Sequence, residues 1–223
     1  MLKFILIYPT LVFVFIAFGC ENSSIQSNVN NKKPASFTKE IQLSKNRYHK
    51  GEPNIFYTSV KMEASQLKLD SLESGFDSIQ IRIWFDISLL RKQRLIVISK
   101  SNDKWIANLY ILTLGSTKNS HEDSIFKFDF KPGLPKSGWN DFTKRLFDLQ
   151  ITTLPDMDNI AGYGSGMDGI GCNIEVATKT YYRFYRYWEP KSYQAKFWQA
   201  KQMTKILELI EQEFDFYHPI HKN

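Results

Sequence analysis

Hydrophobic and polar positions alternate with period two along several stretches in the middle of the chain. In Ile79-Gln80-Ile81-Arg82-Ile83-Trp84-Phe85 the alternation puts Ile79, Ile81, Ile83 and Phe85 on one face of a strand. Leu95-Ile96-Val97-Ile98 is a short unbroken apolar run rich in β-branched residues, which also predicts a strand. Ser101-Asn102-Asp103 is turn chemistry, and beyond it Trp105, Ala107, Leu109 and Ile111 alternate again. The segment Ile125 to Phe130 carries Phe126, Phe128 and Phe130 on one side, expected to face inward. Short links between these strands predict an antiparallel meander.

Two segments change to helical spacing. Trp139, Phe142, Leu146 and Leu149 follow Ser137, a residue suited to capping, and predict a helix over about 137–149. A second helix is predicted over about 193–214. There Met203, Ile206, Leu207, Ile210 and Phe214 form a stripe opposed by Gln199, Gln202, Lys205, Glu208 and Gln212. Between the helices, residues 170–178 and 181–188 read as a hairpin. The fold expected is therefore α+β: a mainly antiparallel sheet of about six or seven strands packed by two amphipathic helices. Residues 37–75 carry the weakest pattern, with Ile55 to Met62 a candidate for one more strand.

The hairpin carries the most suggestive chemistry. With Thr178-Lys179-Thr180 as a three-residue connection, Ala177 pairs with Tyr181, Glu175 with Arg183, Asn173 with Tyr185, and Gly171 with Tyr187. One face then holds Cys172, Ile174, Val176, Tyr182, Phe184 and Arg186. The other presents Asn173, Glu175, Arg183, Tyr185 and Tyr187, a set able to bind a polar ligand through paired donors, an acceptor and flat rings. The same residues also read as an ordinary cross-strand ion pair covered by tyrosines.

Other constellations are thin. Gly162 to Gly171 holds five glycines, and Gly164-x-Gly166-x-x-Gly169 formally matches a dinucleotide fingerprint. A strand follows it where the fingerprint needs a helix, so no cofactor is expected. Asp156-x-Asp158 opens like a calcium loop but lacks the later ligands, and no metal is expected. His49, His121, His218 and His221 sit in no motif. Asp168 and Glu175 are the pair that a glycosidase-like hydrolase would use as its two carboxylates. No catalytic set stands out beyond them.

The N-terminus reads as an address. Lys3 is followed by an apolar stretch from Phe4 to Phe18, shorter than a membrane span and interrupted by Pro9, which is the pattern of an export signal over residues 1–19. It ends in Ile16-Ala17-Phe18-Gly19-Cys20. Here the chain resembles the lipobox of bacterial lipoproteins, which implies lipidation, palmitate included, at Cys20 and a membrane anchor. The same residues also fit cleavage at Ala-x-Gly with Cys20 left free. Glu21 after the cysteine implies, by the same resemblance, that the protein is not retained at the inner membrane and belongs at the outer one. Residues 20–36 would form a flexible tether; its sixteen residues from Glu21 span roughly 20–25 Å as a coil, with the globular domain in residues 37–223.

Charge adds little. The net charge of +6 becomes +5 once Lys3 leaves with the signal, and the basic residues are scattered. An exported chain does not meet nucleic acid, so none is expected as a partner. If Cys20 carries lipid, Cys172 has no disulfide partner and acts as a small buried hydrophobe. The expectation is a lipid-anchored envelope protein, a non-catalytic binding module for a protein or glycan. The alternatives are an envelope hydrolase using Asp168 and Glu175, or an inhibitor or immunity protein.

Overall fold

Four strands in the middle of the chain run as an up-and-down meander: β2 (Ile79–Ile87), β3 (Lys92–Ser101), β4 (Lys104–Ser116) and β5 (Asp123–Gly133). Three more come from the flanks, namely β1 (Glu40–Gln42), β6 (Ile170–Thr178) and β7 (Tyr181–Trp188). This computed structural model describes residues 40–46, 49–87, 92–116, 123–166 and 169–216. Cys20, the rest of residues 1–36, and Asp168 lie outside them. The described residues belong to one compact unit running from Phe37 to Asn223. Among them, no helix is long and apolar enough to cross a membrane.

The strands form one seven-stranded sheet in the order β1-β7-β6-β2-β3-β4-β5. Asn102 and Asp103, both with positive φ, make the tight turn between β3 and β4. Helix α2 (Trp139–Asp148) follows β5, and the β6–β7 hairpin then pairs with the free edge of β2. The sheet is α+β and mostly antiparallel; it is mixed, because β1 joins β7 in parallel.

Both faces of the central strands are covered. On one, α2 and α4 (Trp198–Phe214) pack Phe142, Leu146, Met203, Ile206 and Ile210 against Ile81, Ile83, Ile96 and Ile98. On the other, α1 (Ile55–Gln66) packs Tyr57, Val60 and Ala64 against Trp84, Leu95, Val97 and Phe184. A strand buried on both sides has no polar face to alternate with. That is why Leu95 to Ile98 is apolar at every position.

Four sequence expectations are corrected here. Ile55 to Met62 is helix, because Asn54 caps it by accepting from the Phe56 N–H at 2.9 Å and its buried residues fall at positions 57, 60 and 64. Ser137 is not the cap of α2. Gly138 takes that place with φ of 80°, and the Ser137 N–H donates instead to Glu213 at 2.8 Å. The second predicted helix begins at Trp198, preceded by a separate turn, α3 (Pro190–Tyr193), which Pro190 starts. Phe128 and Phe130 do not reach the core: they are 40% and 61% exposed on the outermost strand.

Candidate functional site

The hairpin pairs one residue out of the expected register. Glu175 stands opposite Phe184, Val176 opposite Arg183, Ile174 opposite Tyr185, and Cys172 opposite Tyr187. The connection is the two residues Lys179 and Thr180 rather than three. Side chains alternate across a strand, so a slip of one residue on one partner moves its whole set to the other face. The five candidate ligand residues are therefore divided. Asn173 and Glu175 face α1, whereas Arg183, Tyr185 and Tyr187 face the α2–α4 side, and all five are buried.

Glu175 is the centre of a buried polar cluster beneath α1. Its carboxylate accepts the Trp84 indole N–H at 2.8 Å and the Tyr182 hydroxyl at 3.0 Å. Arg82 lies across the β2–β6 ladder from it and approaches with Nη1 at 3.8 Å. Arg82 also donates through Nε to Gln80 at 2.9 Å and through Nη2 to the Asp70 carbonyl at 2.7 Å. Burial pushes the Glu175 carboxyl above its ordinary pKa, against the opposing pull of Arg82 and its two hydrogen-bond donors. Burial likewise lowers Arg82.

Above this cluster lies a cleft of about 430 Å³ between α1 and the 71–74 turn. Lys61, Lys68, Ser65, Ser71 and Glu73 line its rim, and Arg82, Glu175 and Tyr182 its floor. Lys61 pairs with Glu73 at 2.9 Å. Among the described residues the Lys68 ammonium has no hydrogen-bond or ion-pair partner.

The other half of the expected set has a different task. Arg183 donates to the carbonyls of Thr152 and Leu154, the Tyr185 hydroxyl to Ile151 at 2.6 Å, and the Tyr187 hydroxyl to Pro155. These three side chains satisfy backbone carbonyls of a partly buried irregular segment that lies outside any strand or helix. Next to it, Asp156 accepts from Ser44 and from the Asp158 N–H at 2.6 Å, and its carboxyl is raised by burial. Gly166 is packed close as well: a Cβ there would stand 2.5 Å from Trp188 Cζ2. Cys172 is a buried thiol in no disulfide among the described residues, and its Sγ donates to the Tyr187 carbonyl at 3.6 Å. No group of three metal-ligating side chains occurs among the described residues.

A further feature was misread from the sequence. On the α1 face of β4 and β5, helix cover reaches only as far as Ile125, whose N–H donates to Gln66 at 2.9 Å. Beyond it Leu112 and Tyr110 of β4 stay buried, while Phe128 and Phe130 opposite them on β5 are exposed. Phe130 stacks on Tyr110 with centroids 5.6 Å apart, and Phe128 lies at 6.4 Å from the same ring. Ile106, on the same face by alternation, is 52% exposed. Phe128 and Phe130 share one face of the strand as their spacing predicts, while the side chain of Phe126 lies outside the description; periodicity does not say whether a helix will cover that face.

No family model matches the chain, and neither a curated protein nor a solved structure matches it.

Proposed function

We propose that the protein is a lipid-anchored module of the bacterial cell envelope, held through Cys20, which binds a protein partner and does no chemistry of its own. The observation that carries this reading is the exposed apolar patch of Phe128, Phe130 and Ile106, laid against the buried ring of Tyr110. Burying a phenylalanine side chain is worth roughly 1.5–3 kcal/mol, so leaving two of them part-exposed side by side has a cost that a partner would recover. Contiguous exposed aromatic surface on a folded domain is characteristic of protein interfaces. The flanking edge of β5 is guarded by Lys127, Lys131 and Pro132, which discourage the addition of another strand. The side chains of the open face, rather than the backbone of the edge, are therefore the recognition surface.

The hydrolase alternative finds less support. A nucleophile or general acid has to reach its substrate, and Glu175 is 3% exposed with both oxygens engaged by Trp84 and Tyr182.

Photo-crosslinking in the producing cell tests the proposal. A benzophenone amino acid at position 128 or 130 is expected to give one discrete adduct, absent from control positions Lys144 and Asp148 on α2. Equal adducts from the controls, or none from 128 and 130, would sink it. Labelling with palmitate that persists in Cys20→Ser would remove the anchor from the reading. An adduct that proves to be a secreted toxin or lytic enzyme would make the module an inhibitor or immunity protein.

A further inference from the structure

The cleft between α1 and the sheet combines three features that a purely structural ion pair does not need. First, Arg82 is 2% exposed, yet its Nη1 makes no hydrogen bond among the described residues; its nearest acidic neighbour is Glu175 at 3.8 Å. Arg82 lines the cleft floor, so this spare donor of a charged group is available to an acceptor that enters the cleft. Second, Lys68 and Lys61 stand on the rim above it, and Lys68 has no ion-pair partner among the described residues. Third, Glu175 attracts Arg82 across the ladder, but its two oxygens accept from Trp84 and Tyr182 and leave Nη1 at 3.8 Å, beyond hydrogen-bond distance.

The space matches this electrostatics. A volume of about 430 Å³ falls within the range of small-molecule sites. Three cations, Arg82, Lys61 and Lys68, meet two carboxylates, Glu73 and Glu175, so the lining carries one net positive charge. Ser65 and Ser71 add neutral hydroxyls at the rim, suited to the uncharged part of a polar ligand.

We propose that this cleft binds a small polar molecule of about monosaccharide size through an anionic oxygen group, a carboxylate or a phosphate, which accepts from Arg82 Nη1 and is drawn in by Lys68 and Lys61. The lining of the cleft includes none of Phe128, Phe130 and Ile106.

The indole of Trp84 reports on the site directly, because its N–H bonds the carboxylate beside Arg82. The chain has five tryptophans, so the indole region of a proton–nitrogen spectrum is simple enough to assign by substitution. Glucuronate, glucose 6-phosphate and glucose are titrated into the full chain in detergent. The expected result is that one or both anionic sugars move the Trp84 signal and that glucose binds about tenfold more weakly or not at all. Glucuronate alone would name a carboxylate ligand, glucose 6-phosphate alone a phosphate. Lys68→Ala, which removes an exposed and unpaired side chain, is expected to keep the fold and weaken the anionic sugars about threefold or more, with added salt acting in the same direction. Binding of glucose as tight as that of the anions would overturn the proposal. So would anion binding unchanged in Lys68→Ala, or a Trp84 signal that none of the three sugars moves.

Discussion

Glu175 and Arg183 lie on opposite faces of the β6–β7 hairpin, although they sit in strands that pair directly. Each has its own circle of partners: Trp84, Tyr182 and Arg82 for Glu175, and the carbonyls of Thr152 and Leu154 for Arg183. A double-mutant cycle separates this arrangement from a cross-strand ion pair. Combining Glu175→Gln with Arg183→Met is expected to give additive losses of stability within about 0.5 kcal/mol. Combining Glu175→Gln with Trp84→Phe is expected to show coupling of about 0.5–3 kcal/mol, since those two residues share a buried hydrogen bond. Coupling confined to the first cycle would contradict the register.

The contrast shows which parts of the fold the sequence could carry. The meander was legible because Ile81, Ile83, Ala107 and Leu109 keep their period against a single core, and Asn102-Asp103 marks its tightest turn. The hairpin was legible as an element but not in its register. That depends on whether the loop is Lys179-Thr180 or one residue longer, and neither strand has a polar face to settle the choice. Both faces of β6 and β7 are buried, so Glu175 and Arg183 looked like surface residues of a polar face that does not exist. Helix α1 was hidden for a related reason. Its contacts are made by only three well-buried residues, Tyr57, Val60 and Ala64, while Ile55 at its start is exposed and dilutes the stripe. The Arg82–Glu175 cluster joins residues 93 positions apart and follows from the β2–β6 pairing alone, which no local pattern encodes.

The exposed and buried phenylalanines are expected to behave differently. Phe130→Ser removes a ring that is 61% exposed and is expected to change unfolding free energy by less than about 1 kcal/mol. Phe142→Ala empties a fully buried position between α2 and α4 and is expected to cost about 3–5 kcal/mol. Urea denaturation of the two variants decides the matter. A loss at Phe130 as large as that at Phe142 would mean the ring is core after all, and the aromatic face would lose its standing as a recognition surface.

The buried acids make a prediction about pH. Burial raises the carboxyls of Asp156 and Glu175 in the folded state. A folded-state pKa above the unfolded value gives a contribution to stability that is complete below the unfolded pKa, near 4, and is lost as pH rises through the folded value. The stability of wild type relative to Asp156→Asn is therefore expected to fall as pH is raised from about 4 towards neutrality, at no more than about 1.4 kcal/mol per pH unit. Denaturant unfolding of both proteins across that window measures the difference. A relative stability that instead grows with pH would mean that the Ser44 and Asp158 hydrogen bonds outweigh burial.

The last expectation concerns Gly166, in the glycine-rich stretch ahead of β6. Gly166 lies so close to Trp188 that a Cβ would stand 2.5 Å from Cζ2 and 2.9 Å from Cε2, and the obstacle is a rigid indole rather than the end of a flexible chain. Trp188 cannot easily withdraw, because its carbonyl accepts from the Tyr163 hydroxyl at 3.1 Å and its ring packs near Tyr193 at 5.9 Å. Gly166→Ala is therefore expected to destabilise the fold by about 1–3 kcal/mol, the usual cost of overpacking. Gly138→Ala provides the comparison. It has open space around its Cβ position but a φ of 80°, so its loss arises from backbone strain of about 1 kcal/mol and not from a clash. Trp188→Ala tells the two apart, because removing the indole relieves the cost of Gly166→Ala and leaves that of Gly138→Ala unchanged. If Gly166→Ala is neutral in the presence of Trp188, the stretch is free to move away from the sheet.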